Sequence, residues 1–184
     1  MKLNKSALLA FGLLILAASL YRAWPDRPFG FAPQWAMAVF AGAVVKDKKW
    51  AFLLPVLSLF ISDTLYQIFY NSGVTQIWGF YEGQVLNYIL FGSLTVFGLM
   101  IRKTTWVKIM AASLAAPSAF FLLSNFVVWI GGGGYQRPTL LQAYADGIPF
   151  YQTSLIATPV FSVVLFGIYY LVKEGSLVPR SEAA

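Results

Sequence analysis

The hydrophobic runs of this chain are separated by gaps that alternate between basic and non-basic. Lys2 and Lys5 precede the first run and Lys46, Lys48 and Lys49 follow the second. Arg102, Lys103 and Lys108 follow the fourth, and Lys173 and Arg180 follow the last. Only Arg22, Arg27 and Arg137 fall in the other gaps. Lys and Arg are retained on the cytoplasmic side of a membrane, so this alternation predicts a span count and an orientation together. The expected fold is all-α: an integral membrane bundle of six transmembrane helices with N and C termini cytoplasmic.

Composition agrees. Of 184 residues, 59% are hydrophobic and 11% charged. A soluble domain carries about 25% charged residues, so this chain needs lipid to cover its surface. Its net charge of +6 sits at the ends of the runs, which points to lipid headgroups and topology rather than to nucleic acid. There is no Cys and no His. That excludes disulfides, Cys/His zinc sites, His-ligated haem and Ser-His or Cys-His catalysis, and no cofactor is expected.

The runs are Ala7–Tyr21, Trp35–Val45, Trp50–Tyr70, Val85–Ile101, Val107–Ile130 and Thr153–Val172. The first reads as a retained helix rather than a signal peptide, because Tyr21, Arg22 and Trp24 follow it as interfacial anchors. The second is too short to cross ~30 Å of hydrocarbon alone. Its small residues, Ala36 to Ala43, let another helix come close, and a short helix after a Pro-rich loop is one way to line a cavity. Gly131–Gly134 cannot continue a helix cheaply. Pro138–Asp146 is expected as a separate short interfacial helix. Residues 1–175 form a single transmembrane domain. Leu177–Ser181 resembles a thrombin cleavage linker of the kind left by cloning, and the 176–184 tail is set aside.

The same topology places most aromatic loop residues on the outer side, more than an interfacial belt requires. Asp63 is the carboxylate within a span. Burying it costs about 2.5–3.5 kcal/mol on insertion scales, so it should face protein or a cavity. Tyr66 and Gln67 share its helical face at i+3 and i+4. Run five offers Ser118, Phe121, Asn125 and Trp129 on one face, and Gln84, Asn87, Tyr88 and Phe91 polarise the outer end of run four in the same way. Tyr81 and Tyr144 lie in the neighbouring outer segments. Convergent polar and aromatic groups of this kind suit an apolar ligand pocket with few polar anchors. The candidate substrate-binding residues are therefore Asp63, Tyr66, Gln67, Tyr81, Asn87, Asn125, Trp129 and Tyr144; no catalytic or metal-binding residue is expected. Ala111, Ala112, Ala115, Ala116 and Ala119 form small-xxx-small pairs in the inner half of run five, suited to close helix packing.

Pro33–Ala43, Ser62–Asp63, Asn125–Trp129, Ile148–Phe150 and Leu165–Gly167, in that order, resemble a family of uncharacterised bacterial six-helix membrane proteins described as transport proteins. That family resembles the substrate-binding S components of energy-coupling-factor vitamin transporters. The resemblance implies a location in the bacterial inner membrane and a small vitamin-like molecule bound in the outward half. The covering loops would be 22–34, 71–84 and 131–152. Implied partners are membrane lipids and a coupling membrane subunit with ATPases. The chain departs from S components in the first helix, where Ser6-xxx-Ala10 replaces the Ala-xxx-Ala docking motif. The alternative is a non-enzymatic accessory or structural subunit of a larger membrane complex. It expects Asp63 and Asn125 to bond each other or backbone, with no cavity between them. An intramembrane enzyme ranks last, since Asp63 would have to act without a second carboxylate in its span.

Overall fold

The computed structural model describes residues 5–24, 27–28, 30–101, 105–131 and 138–175. Lys2, Pro25, Asp26, Phe29, Arg102, Lys103, Gly132–Gly134, Tyr135, Arg137 and the 176–184 tail lie outside the described residues. Among the described residues every regular element is a helix: α1 (Lys5–Ala23), α2 (Gln34–Val44), α3 (Lys48–Asn71), α4 (Gln84–Ser93), α5 (Thr95–Leu99), α6 (Trp106–Gly131) and α7 (Leu140–Gly175). Leu94 alone separates α4 from α5, so the fourth run is one interrupted helix.

α3, α6 and α7 are long and apolar enough to cross a membrane. α6 buries only 11% of its apolar window, and large side chains such as Leu122, Ile130, Val107 and Ile168 stand exposed on α6 and α7. Apolar surface on this scale is covered by lipid in a stable protein.

α2 is the opposite case. Ala36, Met37, Ala38, Val39, Phe40 and Ala41 are all buried, against α3, α5, α6 and α7. It can be short because it meets protein rather than lipid over most of its length. Its closest approach is to α5. A Cβ on Gly42 would lie 2.2 Å from the Thr95 carbonyl oxygen, and one on Gly98 would lie 2.1 Å from that of Val39. The two backbones therefore touch where only glycine fits.

α1 packs along α3, with the Ser19 hydroxyl donating to the Ile15 and Ser58 carbonyls. Asp47 caps α3 by accepting from the backbone N–H groups of Lys49 and Trp50. α6 and α7 form a long antiparallel-in-sequence seam, bridged deep in the core by Ser113 to Ser162 at 2.7 Å.

The separate short helix expected at Pro138–Asp146 is not there. From Leu140 that segment is the start of α7, a helix of 36 residues that contains Pro149 and Pro159. Proline removes a helix hydrogen bond and crowds the preceding turn. Contacts to α6 on both sides of Pro149 hold the axis. Tyr144 donates to the Leu122 carbonyl at 2.8 Å, and Tyr151 bonds Ser118 at 2.9 Å and stacks on Phe121.

Candidate functional site

Between α1, α2, α3, α4 and the loop 72–83 lies a cavity of about 390 Å³. Leu59 from α3, Phe91 from α4 and Phe120 from α6 give it apolar walls. Ile77, Trp78 and Tyr81 come from the loop over it, and Phe150 from α7. This volume lies within the ~300–1,000 Å³ typical of small-molecule sites, as does the mix of apolar walls with few polar groups.

The polar wall begins with Asp63, which is 3% exposed. Its Oδ1 pairs with the Arg22 guanidinium of α1, which also donates to Ser62 Oγ. Its Oδ2 accepts from Gln84 Nε2 at 2.7 Å and from the Tyr88 hydroxyl at 2.7 Å. Both carboxylate oxygens are thus engaged, by one cation and two neutral donors. Asp63 stands on the cavity wall as an organiser that ties α1, α3 and α4 together. Its charge partner, Arg22, reaches it from the neighbouring helix α1.

Arg22 is held in turn. Its guanidinium lies 5.2 Å from the Tyr66 ring centre, a cation–π distance. The Tyr66 hydroxyl donates to the Arg22 carbonyl and accepts from Arg27 Nη2 at 2.8 Å. Arg27 also donates to the carbonyls of Arg22, Pro28 and Phe31. Both arginines line the cavity.

The loop 72–83 is fastened to the same wall through Gly79. Its N–H donates to Gln67 Oε1 at 3.1 Å and its carbonyl accepts from Gln84 Nε2 at 2.9 Å. A Cβ here would sit 1.8 Å from the Asp63 carbonyl oxygen, so the loop lies directly on α3. Tyr81, in this loop, accepts from Asn87 Nδ2 at 2.8 Å. Burial first, and the nearby Asp63 charge second, raise its phenol above the ordinary value, so it keeps its proton.

Of the eight expected residues, Asp63, Tyr66, Tyr81 and Asn87 line this cavity. Gln67 lies behind it and secures Gly79 and Asn71. Asn125 lines a smaller neighbouring cavity of about 180 Å³ and donates to the Phe121 carbonyl of its own helix. Tyr144 is spent on the α6–α7 seam, and Trp129 is exposed against Phe126. The polar-aromatic face of run five therefore meets α7: Ser118 and Phe121 are covered by Tyr151 and Tyr144. The third expected covering loop is helical from Leu140 onward and contributes Phe150 from a helix.

Sequence reasoning missed Arg22, Arg27, Gln34 and Trp35 as members or supports of the site, whereas Gln84 and Tyr88, on the polar outer end of run four, do reach it through Asp63. A signal for the two arginines existed. They break the charge alternation, as basic residues in a gap where topology asks for none, and a carboxylate within a span calls for a cation. No curated protein and no solved structure matches the chain. What does match, from residue 2 to residue 180 and so across every helix around the cavity, is a family of unknown function (DUF6580), and the protein belongs to that family.

Proposed function

We propose that this protein is a membrane transport protein that binds a small organic molecule in the 390 Å³ cavity, in the manner of a substrate-binding subunit. The observation that carries the reading is the combination of an apolar, aromatic chamber with a built polar wall and a loop fastened over it. A purely structural subunit has no use for that space. Its own expectation is met only at Asn125, which bonds backbone, while Asp63 borders a cavity. In this reading the protein crosses the bacterial inner membrane six times with both termini cytoplasmic. The 72–83 loop faces outward, and uptake is driven by a coupling subunit with ATPases or another membrane complex. The chain supplies binding and carries out no chemical reaction.

The test is a thermal-shift screen of detergent-purified protein against vitamins and similarly sized metabolites, with native mass spectrometry for copurifying ligands. A binder should lose affinity in Trp35→Ala and keep it in Trp129→Ala, whose ring lies off the cavity. No shift by any compound together with no copurifying mass would refute the reading.

A further inference from the structure

The cavity has a charge and a hydrogen-bonding deficit of its own. Among the described lining residues the charged groups are Arg22, Arg27 and Asp63. Asp63 balances Arg22, and this is the salt bridge found among the described residues. Arg27 has no carboxylate partner there; its acceptors are three backbone carbonyls and the Tyr66 hydroxyl. Among the described residues these engage four of the five guanidinium N–H groups, leaving one on Nη2. Among the described residues the lining therefore holds one uncompensated positive charge.

The start of α2 adds to it. Ala32, Gln34 and Trp35 line the same cavity, and the N-cap is Pro33, which has no side-chain acceptor to offer the first turn. An uncapped helix start with free N–H groups and a partial positive charge favours an anion. Two unpartnered side-chain atoms stand beside it. Gln34 is 3% exposed; its Nε2 donates to the Ala18 carbonyl at 3.3 Å, and its Oε1 has no partner. Because a carbonyl can only accept, the Ala18 contact fixes the amide orientation and leaves Oε1 as an acceptor awaiting a donor. The buried Trp35 Nε1–H is a donor without an acceptor. Buried polar atoms are rarely left unpaired.

We infer that the ligand is a small organic anion with one net negative charge, whose anionic group sits between Arg27 and the start of α2 and whose body supplies an N–H or O–H donor to Gln34. A carboxylate on a planar body fits best. Its oxygens accept from the free Arg27 N–H, the Trp35 indole and the first-turn amides, and the ring lies among Phe91, Phe120 and Trp78. This rests on the binding role proposed above and adds the chemical class.

The test uses full-length protein in neutral detergent with matched probes: indole-3-acetate against indole-3-acetamide, and 4-hydroxybenzoate against 4-hydroxybenzamide, followed by calorimetry. The carboxylate of a pair should bind roughly ten- to a hundredfold tighter than its amide, the range set by one charge-assisted hydrogen bond. Arg27→Gln should abolish that difference while keeping the amide's weak binding. Arg27→Lys should retain part of it, which separates charge recognition from misfolding. Gln34→Leu should weaken the hydroxyl-bearing 4-hydroxybenzoate more than benzoate. Amides that bind as well as their acids overturn the charge inference and leave the binding role standing. No binding in either series overturns the inference. If the metabolite screen above is also blank, the binding role falls with it. A stabilising shift with phosphatidylglycerol vesicles, none with phosphatidylcholine vesicles and none with soluble acids would assign the anion to a lipid headgroup and overturn the soluble ligand.

Discussion

At the scale of residues, the pair Arg22–Asp63 illustrates why a buried charge is a commitment. Removing one partner leaves the other uncompensated in a low-dielectric wall, at a cost of about 3–5 kcal/mol. Asp63→Ala and Arg22→Ala should each destabilise the protein by that order, and the double variant by clearly less than the sum. Reversible unfolding in mixed micelles measures this, and strict additivity would show that the pair is not coupled. Tyr88→Phe removes one neutral donor to Asp63 and should cost about 1 kcal/mol. Asp63 itself was legible in the sequence because an ionisable residue in an apolar run stands out. Arg22 was legible only as a basic residue out of place in the charge alternation, and not as its partner. Forty-one positions separate Arg22 from Asp63, and a pairing between two helices leaves no trace in the periodicity of either. Gln34 and Trp35 were hidden for a related reason: what distinguishes them is a bond they fail to make.

At the scale of elements, two glycine contacts invite direct tests. Gly98→Val would drive a side chain into the α2 backbone, where nothing can yield by rotating a rotamer. The expected loss exceeds the ~1–3 kcal/mol usual for overpacking a core, and it should appear as a large drop in unfolding midpoint. Gly79→Val should act differently. It lifts the 72–83 loop from α3 and breaks its bonds to Gln67 and Gln84, so protease cleavage in the loop should rise and ligand affinity fall. Global stability should change much less. A Gly79→Val protein with uncut loop and normal binding would show that the loop is no cover. The first six helices lie close to the first five hydrophobic runs, because apolar length is a property of local sequence. The unbroken α7 could not be read this way. Gly147 and Pro149 look like breakers, and the tyrosine contacts to α6 that override them are tertiary. The polar-aromatic face of α6 was visible as a face, but sequence alone did not say whether a cavity or α7 would cover it.

For the whole molecule, the absence of cysteine is an experimental convenience, since any cysteine introduced is the sole label site. Under the proposed topology of six crossings with cytoplasmic termini, Thr75→Cys in the 72–83 loop should react with a membrane-impermeant maleimide in intact cells. Lys46→Cys, between α2 and α3, should react only after the cells are opened. The reverse pattern would invert the orientation. The short helix α2 has a further consequence for how such a chain is made. Eleven residues rise about 16 Å, roughly half of a ~30 Å hydrocarbon core, so α2 is a poor candidate for independent insertion. Most of the partners that bury it, α3, α5, α6 and α7, are synthesised after it. In the proposed topology its entry into the bilayer therefore waits on later segments. The chamber that opens at its first turn is among the last features of the protein to come into existence.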